Sequence, residues 1–213
     1  DAGVKYLVMV TKQGVIKKTP LEDFKNVRKS GLIAISLKKG DELRLVRKRA
    51  GEDQIIVTTK KGQSIRFKEE DARAMGRSAA GTRGIRLKKG DEMVGMDVIV
   101  ENPKAKPQDV KPGADYLLIL TENGYGKRTH LKEYRIQTRG GSGIKTANVT
   151  SKTGDLVYAK VLSGSEEDLI VISQQGQVIR TEINSIAQIS RSTQGVRIMR
   201  LDDADRVVSA ASV

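Results

Sequence analysis

The stretch YLVMVTKQGVIKKT (6–19) recurs as QIIVTTKKGQSIRF (54–67), YLLILTENGYGKRT (116–129) and LIVISQQGQVIRT (169–181). Each copy has an apolar run, a Thr or Ser, two polar residues, a glycine, and a second run with a basic residue four positions after the glycine. Short runs rich in Val, Ile and Leu, bounded by glycine and polar clusters, are strand signals. The triplets before the run resumes suit a tight hairpin whose glycine takes a positive φ. The anchor glycines are Gly14, Gly62, Gly124 and Gly176, spaced by 48, 62 and 52 residues. The long interval contains ENPKAKPQDVKPG (101–113), which holds three of the four prolines; without it the spacing is regular, so this stretch reads as an insertion or linker.

A second block follows each first one. Gly81, Gly143 and Gly195 stand nineteen residues after their anchors, and Gly31 stands seventeen after Gly14 in a shorter first copy. MGRSAAGTRGIRL (75–87) and ISRSTQGVRIMRL (189–201) match at Gly81 and Gly195 and at several arginines. An alternating apolar segment then opens at Asp41, Asp91, Asp155 or Asp205. Every copy reads as strand, turn, strand, loop, strand, acidic turn, strand. Helix finds no room beyond single turns at LEDFKN (21–26) and KEEDARAM (68–75).

A four-stranded unit of this size leaves a sheet face uncovered, so copies must pack side by side. The expectation is an all-β, propeller-like domain over 1–213, with repeats at 6–49, 54–99, 116–162 and 169–213.

Charge narrows the function. The 213 residues hold 39 Lys and Arg against 26 Asp and Glu, a net +13, which points to a polyanionic partner. The excess is +8 over residues 1–50 and −1 over 151–213, so the basic surface weakens toward the C-terminus. With seven aromatic rings and no Trp there is little on which to stack splayed bases, which favours a duplex backbone as the target. The absence of cysteine excludes disulfides and thiolate metal sites. No apolar run approaches the length of a bilayer-spanning helix, and DAGVKYLVMV lacks the layout of a secretory signal, so no membrane is expected and a cytoplasmic setting is.

The cations recur in columns. Lys18, Arg66, Arg128 and Arg180 stand four residues after the anchors, with Lys17 and Lys127 beside the first and third. Fifteen after come Arg77, Arg139 and Arg191, with Arg28 or Lys29 in the first copy; twenty-one after come Arg83, Lys145 and Arg197. Repetition around an axis places equivalent residues at equivalent radii, so these columns are expected to form a basic track for phosphates, read without regard to base sequence. Arginine forks suit bidentate phosphate contact.

Catalytic signals fail. GRSAAGTR has Thr82 where a phosphate loop requires Lys, and the single histidine, His130, gives a metal site or a serine–histidine pair little to draw on and reads as a turn residue. No catalytic residue, metal or cofactor is expected here.

TKQGVIKKTPL (11–21), GRSAAGTRGIRL (76–87), GDEMVGMDVI (90–99) and TENGYGKRT…EYRIQTRGGSGIKTANVT (121–150) resemble the C-terminal domain of DNA gyrase A over nearly the whole chain. The resemblance implies a β-pinwheel of five or six blades that wraps duplex DNA around its rim. Four visible repeats would then be a fragment lacking upstream blades. It further implies a nucleoid-associated part of a type IIA topoisomerase that works with the rest of gyrase A and with gyrase B, in which ATP and Mg are used by other domains. QTRGGSG (137–143) resembles the family's glycine- and arginine-rich box at Gln137, Arg139, Gly140, Gly141 and Gly143, but carries Thr138 and Ser142 where basic residues are usual. Two alternatives stay open: the equivalent domain of topoisomerase IV, and a propeller scaffold for an acidic protein.

Overall fold

The computed structural model describes residues 3–27, 29–49, 53–99 and 114–213; Arg28 and the Pro-rich stretch 101–113 lie outside them. The first repeat supplies β1 (Tyr6–Thr11), β2 (Val15–Pro20) and β3 (Leu43–Arg49). The second supplies β4 (Gln54–Thr59), β5 (Gln63–Lys68), β6 (Thr82–Arg83) and β7 (Met93–Ile99). The third supplies β8 (Ala114–Thr121), β9 (Tyr125–His130), β10 (Ile144–Lys145) and β11 (Leu156–Ser163), and the fourth β12 (Asp168–Ser173), β13 (Val178–Glu182), β14 (Val196–Arg197) and β15 (Val207–Ser212). Single 3-10 turns at Leu21–Phe24, Glu69–Asp71, Leu131–Glu133 and Ile183–Ser185 follow the second strand of each repeat.

Sheet order departs from repeat order. The four antiparallel sheets run β3-β1-β2-β6, β10-β5-β4-β7, β11-β8-β9-β14 and β13-β12-β15. The expected third strand forms in the second, third and fourth repeats but not in the first, where residues 31–42 form no strand. Strands β6, β10 and β14 each pair with the second strand of the preceding repeat: Val15 opposite Arg83, Gln63 opposite Lys145, Tyr125 opposite Arg197. The second glycine makes this possible. A Cβ on Gly81 would lie 2.7 Å from the Ile16 carbonyl oxygen, and on Gly143 2.5 Å from that of Ser64, so only glycine lets the donated backbone close on its neighbour. Among the described residues the fourth sheet receives no such strand and has three.

The anchor turns are built alike. The residue after each anchor donates its amide to the hydroxyl that ends the first strand: Val15 to Thr11 Oγ1 at 3.2 Å, Gln63 to Thr59 Oγ1 at 3.2 Å, Tyr125 to Thr121 Oγ1 at 3.2 Å and Gln177 to Ser173 Oγ at 3.1 Å. Asp41, Asp91 and Asp205 each accept an amide from the same turn, those of Gln13, Lys61 and Gln175. The recurrent Thr/Ser and Asp are thus turn chemistry.

The core lies between sheets. On β4, Ile55 and Val57 pack with Val8, Val10 and Ile16 of the first repeat, while Ile56 packs with Leu117 and Ile119 of the third. On β8, Leu118 and Leu120 turn instead to Leu169 and Val171 of the fourth. Side chains of a strand alternate between faces, so a strand in a middle blade must be apolar on both; this is why β4 is buried throughout. Each such Leu, Ile or Val contributes about 1.5–3 kcal/mol on full burial, and all of it depends on having the neighbouring blade.

Candidate nucleic-acid interface

The column four residues after the anchors does not lie on the rim. Lys18 is 7% exposed, and its Nζ donates to the Glu69 carbonyl at 3.3 Å and faces Glu69 Oε1 at 3.6 Å. Arg66 donates from Nη1 to the carbonyls of Leu131 (2.9 Å) and Tyr134 (3.2 Å), and from Nε to Gln54. Arg128, 3% exposed, donates from Nε to Ile186 O at 3.0 Å, from Nη2 to Asn184 O at 2.9 Å and from Nη1 to Asn184 Oδ1 at 3.1 Å. For all three, the carbonyl acceptors sit in or beside the 3-10 turn of the next repeat. The expected surface track is corrected at this column: these cations staple one repeat to the next, satisfying carbonyls that a one-turn helix leaves open. Burial holds the Arg128 guanidinium below its ordinary pKa. Arg180, which has no following turn to reach among the described residues, pairs with Asp168, and its side chain is 72% exposed.

Lys17 and Lys127 are also inside, at 1% and 0% exposure. Lys17 Nζ donates to Ala34 O at 2.7 Å and to Arg77 O. Lys127 Nζ donates to the carbonyls of Ser190 (2.7 Å), Arg191 (2.7 Å) and Thr193 (3.1 Å) and to Thr193 Oγ1 (3.1 Å). Desolvation lowers both ammonium groups, that of Lys127 to about 8. A lysine inside the fold touches no phosphate directly, so these two leave the set of surface contacts.

The other two columns do reach the surface, and the structure brings them together. Arg83, Lys145 and Arg197 are exposed on the donated strands β6, β10 and β14. Arg77, Arg139 and Arg191 are half-buried in the loops leading to those strands. Arg139 donates from Nη1 to Arg83 O and from Nε to Asp71 O (2.8 Å), and Arg191 donates from Nη1 to Lys145 O at 2.7 Å. The arginine of one repeat thus rests on the backbone of the cation in the repeat before it, chaining the two columns across consecutive blades. Lys145 Nζ leans on Asn148 Oδ1 at 2.8 Å, and Arg197 donates to the Tyr125 hydroxyl at 2.9 Å and stacks over its ring at 5.5 Å. Lys29 is exposed; Arg28 lies outside the described residues.

The box-like loop is tied inward. Gln137 donates its amide to Arg66 O (2.7 Å), Gly140 to Gly84 O (2.8 Å), and Gly141 O accepts from the Arg86 amide (2.8 Å). Gly143 is the close-approach glycine of β10. The loop's glycines serve the joint between blades, and of its residues only Arg139 belongs to the cationic line. His130 caps its 3-10 turn, accepting the Lys132 amide at Nδ1.

Further exposed cations escape the three columns: Lys25, Arg73 and Arg135, eleven residues after the first three anchors, and Arg86 and Arg200, twenty-four after the second and fourth. The signal that finds them is the same recurrence of charge, at these two other offsets.

A family model described as the DNA gyrase C-terminal domain, beta-propeller, matches residues 5–47, 53–99, 115–163 and 167–213. The A subunit of DNA gyrase from Staphylococcus epidermidis is 43% identical over 208 residues, 98% of this chain and 22% of that protein; its Staphylococcus aureus counterpart is 42% identical over the same span. The chain thus spans about a fifth of the length of these relatives. Among solved structures, a DNA gyrase A C-terminal domain superposes with a TM-score of 0.81 at 28% identity, covering 99% of this chain and 66% of the other. The C-terminal domain of a DNA topoisomerase IV gives 0.86 at 24% identity, a likeness of fold, covering 98% and 62%. With matched segments that run through all four repeats, this chain belongs to the DNA gyrase C-terminal domain family of β-propellers.

Proposed function

We propose that the chain is a non-catalytic module that binds duplex DNA through its phosphates and wraps it, as part of an ATP-dependent type IIA topoisomerase of the gyrase kind, working with the remainder of gyrase A and with gyrase B in the cytoplasm. The observation that carries this reading is the line of Arg77, Arg83, Arg139, Lys145, Arg191 and Arg197, continued across consecutive blades by the Arg139–Arg83 and Arg191–Lys145 contacts. The same reading takes residues 1–213 as one domain of four repeat units with an insertion at 101–113. Bending a 20–30 base-pair site by 40–90° costs on the order of 1–6 kcal/mol, which a few contacts do not offset and a repeated array does. No step in this role asks the domain for a metal or a cofactor.

Ligating relaxed circles with the bound domain and reading the linking number tests the wrapping directly. A shifted topoisomer distribution is expected. Binding with unchanged topoisomers would favour the topoisomerase IV type of domain, and no binding of random duplex at low salt would favour a scaffold for an acidic protein.

A further inference from the structure

Lys127 is a fully buried cation whose hydrogen-bond partners are all uncharged oxygens, and those oxygens belong to one surface loop. This arrangement orients the loop. In a planar trans peptide the N–H points away from the C=O. The carbonyls of Ser190, Arg191 and Thr193 converge inward on Nζ, so the amides that follow them, those of Arg191, Ser192 and Gln194, are directed away from the lysine. The first already holds an anion: Arg191 N donates to the Glu133 carboxylate at 3.0 Å. The amides of Ser192 and Gln194 have no partner among the described residues. The Thr193 amide between them is spent on Ser190 O at 3.3 Å. Two outward amides flanking it, with a positive charge behind them and a guanidinium beside them, make an anion-binding concavity.

We propose that the loop Ser190–Gly195 is a phosphate seat in which the amides of Ser192 and Gln194 receive the phosphate oxygens and Lys127, without touching the ligand, supplies the charge beneath. This deepens the DNA-binding reading and rests on it. The first joint repeats the device: Lys17 holds Arg77 O, which turns the Ser78 amide away from it. The second joint lacks it. Ile65 stands in the lysine's place, a Cβ on Gly141 would lie 3.6 Å from Ile65 Cδ1, and the Gly140 amide is spent inward on Gly84 O. Seats are therefore assigned to the first and third joints only.

The charged groups facing Lys127 are Glu133, which raises its pKa, and Arg191, which lowers it; desolvation outweighs both and leaves it near 8. An arriving phosphate favours the protonated form. Binding of duplex must then take up protons near pH 8 and weaken as pH rises through that value. A lysine that only latched the loop would behave oppositely, because a depressed pKa means that the closed fold prefers the neutral amine.

The test uses random-sequence duplex of fixed length at constant ionic strength from pH 6.5 to 9.5, with the wild-type chain and Lys127→Met. The wild type is expected to lose affinity above pH 8 and to take up protons on binding, measured calorimetrically in two buffers of different ionisation heat. Lys127→Met is expected to bind more weakly at pH 7, with no such pH dependence and a salt slope smaller by about 0.9 for the one phosphate no longer neutralised. If Lys127→Met fails to fold, the wild-type proton uptake decides alone. Duplex binding that is flat through pH 8 overturns the seat while leaving DNA binding intact; absence of wild-type binding at low salt overturns the DNA-binding reading and the seat with it.

Discussion

The joint between the third and fourth blades and the free edge of the fourth are the same construction with and without an occupant. At the joint, β14 lies on β9, the Gly124 carbonyl accepts the amides of Ile198 (2.8 Å) and Met199 (3.1 Å), and Arg128 is buried against Asn184 and Ile186. At the edge, β13 has no outer neighbour among the described residues, a Cβ on Gly176 would meet nothing within 4 Å, Val178 is 59% exposed, and Arg180 faces solvent. The difference shows what the shared sequence pattern is for. The glycine, the following small or apolar residue and the basic residue are parts of a socket; its cation looks like a surface charge only where the socket is empty.

The largest effect expected is on Arg128. Truncation to Ala leaves the Asn184 and Ile186 carbonyls without donors, and hydrogen bonds to a charged group contribute roughly 1.5–3 kcal/mol each, so urea unfolding should show a loss of about 3 kcal/mol or more. Arg180→Ala, which removes only the ion pair to Asp168 at the open edge, should lower the midpoint markedly less. Equal effects at the two positions would break the comparison.

A smaller contrast is expected at the glycines. Both Gly124 (φ +78°) and Gly176 (φ +87°) are left-handed, which costs a residue with a Cβ about 1–2 kcal/mol. At Gly124 the Cβ would also lie 2.4 Å from Met199 O, a backbone atom, whereas at Gly176 space is open. Gly124→Ala should therefore lower the melting temperature at least twice as far as Gly176→Ala.

The smallest effect sharpens the comparison through pH. Lys127, at the occupied joint, titrates near 8 in the fold and at about 10.4 when unfolded. Between these values the unfolded chain binds the extra proton, so this group makes stability rise with pH from about 8 to 10.4. Lys127→Met should remove that component, seen as a flatter pH dependence of the urea midpoint over this range. Ile179, the equivalent residue at the free edge, has nothing to titrate.

Much of this architecture is legible in the residues. Anchor glycines, apolar runs and the Thr/Ser before each turn specify hairpins through local backbone chemistry, and local chemistry is what a sequence displays. Strand exchange is not legible: β6, β10 and β14 are two residues long, and their partners are chosen by packing between repeats. The candidate site divides along the same line. Arg83, Lys145 and Arg197 read as surface cations and are exposed. Lys17, Lys18, Lys127 and Arg128 read the same way, because a basic residue on an alternating strand is ordinarily solvated, yet they are buried. The carbonyl cages that allow this are assembled from loops mostly about 50 to 66 positions away in the chain.

The central claim is that the two outer columns, and not the stapling one, hold duplex phosphates. Titrating random-sequence duplex against salt with wild type, with the set Arg83→Gln, Lys145→Gln and Arg197→Gln, and with Arg180→Gln tests it most directly. The outer set should flatten the slope of log K against log salt by about 0.9 for each phosphate no longer neutralised, while Arg180→Gln leaves it unchanged. An unaltered slope and affinity in the outer set, with the fold intact, would contradict the account.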